Sequence, residues 1–173
     1  MKYLYLFLII ILQVSCNANK IINSEITAKP NDSLCPKDGV CSFEIVKNKS
    51  FEIKKDEFKS TYLDLKDSDK IILKFEYTRN LITDTQDSSY IEQVFIEIDK
   101  NPEDINLKDL SLENVKASFA RLCFCRGQTG YYSIKSGDLS IKKLKDELFV
   151  FKLNFKINEV PQVIYSIEER FSL

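Results

Sequence analysis

Four of the five cysteines in this chain fall in two close pairs, Cys35 with Cys41 and Cys123 with Cys125. The fifth, Cys16, closes an apolar N-terminal run. Thiols so placed can form disulfides, exchange electrons or hold a metal. Outside the cytoplasm an even number of cysteines favours pairing. In the alternating segment Ala117–Cys125, Ala120, Leu122 and Phe124 share one face, and Phe119, Arg121, Cys123 and Cys125 share the other. Cysteines two apart on an extended strand carry nearly parallel side chains, with Cα atoms near the upper limit of disulfide reach. The expectation is therefore long-range: Cys35 and Cys41 cross to Cys123 and Cys125 and lay the 35–41 segment over the outer face of that strand. Local pairing, Cys35 with Cys41 and Cys123 with Cys125, is the runner-up. A redox role lacks a Cys-X-X-Cys motif and a βαβ pattern. Neither spacing is a usual zinc knuckle, so no metal is expected.

The segment from Arg121 to Tyr132 concentrates the other reactive side chains. It holds two of the chain's four glycines, and reads as a hairpin or a binding loop. In the binding reading, Arg121 or Arg126 takes an anionic group, Tyr131 or Tyr132 stacks, and Gln128 adds an amide. Ser140-Ile141-Lys142-Lys143 matches an acyl-enzyme Ser-x-x-Lys pattern. It lies in an alternating strand, where positions three apart face opposite sides. The carboxylates Asp84 with Asp87, or Glu168 with Glu169, suit an exposed loop and a terminus better than a cleft. Histidine is absent, which excludes Ser-His-Asp and Cys-His nucleophiles and the imidazole zinc sites. No catalytic residue is assigned, and the expectation is a non-enzyme. The net charge is −1 with no basic stripe, so nucleic acid is not an expected partner.

The first sixteen residues have their own organisation. Lys2 supplies a positive start, Tyr3 to Leu12 form an apolar run, and Gln13-Val14-Ser15 bring a small residue before Cys16. The run is too short to span a bilayer and fits a signal-peptide core. This segment resembles a bacterial lipoprotein signal in a relaxed form, with Gln13 where leucine is usual. The resemblance implies cleavage before Cys16 and covalent diacylglycerol and acyl lipid on that residue, with no other cofactor. It also implies a membrane held through that anchor as partner. Asn17, rather than aspartate, implies sorting to the outer membrane, periplasmic or surface-facing. The stretch from Arg121 to Tyr132 is similar to segments of uncharacterised bacterial lipoproteins, which implies no activity.

The elements that position these residues read as strands. Residues 1–15 form the expected signal peptide, 16–34 a lipidated tether with a reach of roughly 20–25 Å, and 35–173 one β domain. Ile71, Leu73, Phe75 and Tyr77 alternate with Ile72, Lys74, Glu76 and Thr78, and Phe149, Phe151, Leu153, Phe155 and Ile157 alternate likewise. Val94, Ile96 and Ile98 make a third such face. Shorter candidates are Ser42–Val46, Phe51–Lys54, Thr61–Leu65, Gly130–Ile134, Leu139–Lys143 and Gln162–Ile167. Asn48-Lys49, Asp67-Ser68-Asp69 and Ser136-Gly137-Asp138 read as turns between them. Asn101-Pro102-Glu103-Asp104 signals one short helix near 102–110. The fold expectation is mainly β, an antiparallel β-sandwich, with a lipocalin-like β-barrel as the alternative. In function the leading expectation is a lipid-anchored envelope module that binds an envelope protein or polymer. The alternative is a carrier holding a small apolar ligand in a barrel.

Overall fold

The computed structural model describes residues 34–145 and 147–173. The leader, Cys16 and nearly all of the tether lie outside the described residues. Among the described residues nine strands follow in order: β1 (Gly39–Lys55), β2 (Thr61–Arg79), β3 (Tyr90–Asp99), β4 (Ile105–Lys108), β5 (Ser118–Cys123), β6 (Gly130–Ser133), β7 (Gly137–Lys145), β8 (Leu148–Phe155) and β9 (Ser166–Ser172). They build two antiparallel sheets, β1-β2-β3-β5-β6 and β4-β7-β8-β9. Neither sheet closes on itself, so the fold is the sandwich and not the barrel.

Period two explains the layering. Phe43, Ile45, Ile71, Leu73, Val94, Ile96 and Phe119 face inward from the larger sheet, and Leu139, Ile141, Phe149, Phe151, Leu153 and Phe171 from the smaller. Phe43 meets Phe151 with ring centroids 5.8 Å apart, and Phe119 meets Phe155 at 5.9 Å. Each such side chain contributes about 1.5–3 kcal/mol by leaving water.

Three local readings change. Asn48-Lys49 and Asp67-Ser68-Asp69 are not turns. They lie opposite each other inside one long β1–β2 hairpin, where the register shifts between Lys47 and Lys49. The Asn101–Asp104 segment starts no α-helix. Ile105 and Leu107 pair with Ile141 and Leu139 as β4, and the Asp104 carboxylate accepts the Lys143 amide of β7 at 2.9 Å. The helical element is instead a 3-10 helix at Asp109–Val115, fastened by buried Leu112 and Val115. Residues 162–165 are not a strand either. Gln162 is buried in the β8–β9 connection, where its side chain accepts the Ile157 amide and donates to the carbonyls of Phe155 and Ile164.

Candidate functional site: a cleft beneath the β1–β2 hairpin

Hairpin β1–β2 is longer than the sheet it belongs to, and its distal half has to go somewhere. At Asn48 the backbone is left-handed (φ 58°), a conformation asparagine tolerates better than most residues. One β1 residue there faces the three β2 residues Ser68, Asp69 and Lys70. This bulge turns the ribbon. Before it, odd-numbered Phe43, Ile45, Ile71 and Leu73 face the sandwich core. Beyond it, odd-numbered Phe51, Ile53 and Leu63 pack onto the opposite, outer face of the same sheet, against Ile72, Phe95, Ala120 and Tyr131. Ring centroids lie 5.7 Å apart for Phe51 and Phe95 and 6.2 Å apart for Phe95 and Tyr131.

A polar clasp fastens the folded-over ribbon. The Glu97 carboxylate accepts from Ser50 Oγ (2.6 Å), the Phe51 amide (3.3 Å) and Lys116 Nζ (2.9 Å). Lys116 Nζ also donates to Ser50 Oγ and to the Phe51 carbonyl. Burial alone would raise the Glu97 carboxyl, but these donors outweigh it and hold the pKa below the ordinary value. At the far end Thr61 Oγ1 accepts the Tyr131 amide at 2.9 Å. A Cβ on Gly130, whose φ is +141°, would come within 2.7 Å of that hydroxyl, so glycine permits the close approach.

Between ribbon and sheet lies an open cleft of about 890 Å³. Val46, Leu63, Leu65, Ile72, Phe95 and Tyr131 supply its apolar floor and walls. Its rim is charged, and apart from Lys47 the charges are matched. Lys49 pairs with Asp67, and Lys74 lies 3.1 Å from Glu76 and 3.7 Å from Glu44. Gln93 Nε2 donates to Glu76 at 2.7 Å. Burial opposes ionisation of Glu76, and the bonds from Gln93 and Lys74 overcome it and hold the carboxyl low. Burial pushes the Tyr131 hydroxyl up. A smaller cleft of about 440 Å³ flanks the clasp on its other side, at Phe51, Lys116 and Ser133. The chemistry on offer is binding: apolar surface within a paired polar frame. Among the described residues no three His, Cys, Asp or Glu side chains are placed to hold a metal.

The residues singled out in the sequence are dispersed by strand alternation. Tyr131 faces the cleft, whereas Arg121 and Tyr132 lie on the sandwich side. Arg121 is only 8% exposed. Its Nε donates to Tyr90 Oη (3.3 Å) and its Nη1 to Gln128 Oε1 (2.8 Å). Tyr132 Oη donates to the Gln128 carbonyl at 3.1 Å. Arg121, Gln128 and Tyr132 therefore brace the β5–β6 connection, while Arg126 stands exposed at its turn. The long-range disulfide expectation is overturned. Cys35 joins Cys41 with Cα atoms 5.8 Å apart, and Cys123 joins Cys125 at 5.1 Å. The chain leaves β5 at Cys123, so Cys125 is not on the strand and the parallel-side-chain argument does not apply. Cys35 and Cys123 still pack at the edge of the same core.

The second apolar face formed by Ile72, Phe95 and Leu65 was not anticipated, because the alternation was followed on one face of each strand. The signal was present. Ile71-Ile72-Leu73 and Val94-Phe95-Ile96 are unbroken apolar runs, the mark of strands covered on both faces. No family model, curated protein or solved structure matches the chain.

Proposed function

We propose that this protein is a lipid-anchored component of the bacterial cell envelope that acts by binding, without catalysis, through the cleft beneath the β1–β2 hairpin. The occupant is an extended apolar segment of an envelope protein. The carrying observation is a second apolar surface, separate from the sandwich core, left open under a ribbon that is fastened at both ends. Most of its rim charges, Lys49, Asp67, Lys74 and Glu44, already have partners, which favours an apolar occupant with polar flanks over a charged small molecule. The apolar run ending at Cys16 supports the anchor.

A photo-crosslinking amino acid at Leu65, inside the cleft and 49% exposed, tests this in intact cells. The expected outcome is a discrete adduct from Leu65 and none from Tyr62, which neighbouring-residue alternation turns to the other face of the ribbon. Equal labelling from both positions, or none from either, would reject the cleft as the site.

The carrier reading keeps support from the cleft volume, which falls within the range of about 300–1,000 Å³ common for small-molecule sites. It predicts an apolar molecule co-purifying with the protein, detectable by native mass spectrometry and lost from Leu65→Glu.

A further inference from the structure

We propose that the end of the sandwich at which the chain enters from Cys16 is a membrane-contacting face, held against the bilayer surface by apolar loop tips as well as by the anchor. This rests on the lipid-anchor reading above. In the larger sheet, the start of β1, the end of β2, the start of β3, the end of β5 and the start of β6 all lie at one end. Residues 34–38 lead into β1 there, so the chain bearing Cys16 joins the domain at this end. Val40 (66% exposed), Leu81 (74%), Ile82 (60%) and Phe124 (83%) stand out from it. With strands 4.7–4.9 Å apart, positions from β1 to β5 span roughly 14 Å. Exposed apolar side chains gathered at one end of a domain mark an interaction surface.

What lies behind these tips holds them in place. The disulfide Cys123–Cys125 brackets Phe124, and Cys35–Cys41 ties the entering chain to β1. Asp38 accepts from Tyr77 Oη at 2.8 Å and lies 3.3 Å from Arg79 Nε. The Tyr90 ring lies between two guanidinium groups, Arg79 at 4.3 Å and Arg121 at 5.3 Å from its centroid. Arg121 in turn fixes Gln128 of the Phe124 loop. The charges in this layer are thus spent inward. Those in front, Lys37 and Arg126 against Asp84, Asp87 and Glu159, leave no basic excess. That favours contact through apolar burial over electrostatic attraction. A bilayer is the occupant already within reach of this end, since on the lipid-anchor reading only 18 residues follow Cys16 before Cys35, and a flexible chain of that length has an r.m.s. reach of roughly 20–25 Å.

The chain has no tryptophan, so a single introduced indole reports alone. Phe124→Trp places it in the face. Asn101→Trp, an exposed position beyond the other end of β3, places it roughly 30 Å away at 3.2–3.4 Å per residue. Each full-length variant is produced in bacteria, scored for lipid label on Cys16, and added to vesicles of phosphatidylethanolamine and phosphatidylglycerol containing brominated phosphatidylcholine. Phe124→Trp should shift to the blue and lose most of its emission, and Asn101→Trp should keep its own. A labelled protein in which both indoles are equally bright overturns the membrane face and leaves the anchor standing. An unlabelled protein defeats the anchor, and the same quenching comparison on the recovered protein still decides the face. Shielding of Phe124→Trp by a protein in cells, with no quenching in vesicles, assigns this end to a protein partner and overturns the proposal.

Discussion

At the scale of single residues, two buried or half-buried carboxylates organise polar groups that would otherwise be stranded. Glu92 is buried and accepts from Tyr90 Oη and from the amides of Val163 (2.7 Å) and Ile164 (2.8 Å). It thereby ties β3 of one sheet to the connection entering β9 of the other. Burial first, and then the bond to Glu92, push the Tyr90 hydroxyl up to about 12, so it stays a donor at any physiological pH. Glu92→Ala should cost about 3 kcal/mol or more in a denaturant melt, because each orphaned buried donor costs about 1–3 kcal/mol. Glu97 works through ionisation. Its folded pKa lies below the ordinary value of 4.5, so its contribution is present above that value and is lost as pH falls through the folded pKa. Glu97→Gln should lower stability at neutral pH by about 1.5 kcal/mol, on the scale of a charge-assisted hydrogen bond. The gap from the parent should narrow as the pH of the melt falls below 4.5 and close once it has passed the folded pKa. Neither role was legible in the sequence. Glu92 and Glu97 appear there as ordinary members of a strand alternation, and apart from Tyr90 their donors come from residues 19 to 72 positions away.

At the scale of elements, the β1–β2 hairpin is the part of the fold that the sequence disguised. Its breaks at Asn48-Lys49 and Asp67-Ser68-Asp69 have turn chemistry, and turn residues also serve bulges. Which of the two they make depends on whether the flanking runs find each other as partners. The ribbon pairs Phe51 with Leu65 and Ile53 with Leu63, and its outward face carries the ion pairs Lys54–Asp64 and Lys66–Glu52. Phe51→Ala removes the buried ring at the centre of the second cluster and should cost about 3–5 kcal/mol. Hydrogen exchange should then show the loss unevenly. Amides of residues 49–67 should exchange faster at concentrations of denaturant that leave 139–155 protected, because the ribbon can open without parting the sheets. Uniform acceleration over both regions would mean that ribbon and sandwich unfold as one unit.

At the scale of the whole molecule, the disulfides illustrate how local chemistry and tertiary placement divide the outcome. Non-reducing peptide mapping should find Cys35 linked to Cys41 and Cys123 to Cys125, with no crosslink between the 35–41 and 117–126 regions. Replacing both Cys35 and Cys41 with serine should cost about 2 kcal/mol, the loop-closure entropy of a short ring, and leave the sandwich folded. The sequence by itself determined the class of fold, because period-two burial forces one-sided strands to pair and then to pack face to face. It also determined the chemistry that histidine would have supplied, by omitting histidine. The N-terminal segment, Cys16 included, carries the anchor proposal on sequence alone. Tertiary structure decided where Arg121, Tyr131 and Tyr132 act, since neighbours along a strand are sent to opposite faces and only the packing of the sheets says which face is core. It decided the disulfide pairing, because Cys125 leaves the strand that the alternation had placed it on. And it decided the cleft. A bulge reverses which face of the hairpin meets the sheet, and that choice rests on contacts between residues far apart in the chain, which no local pattern encodes.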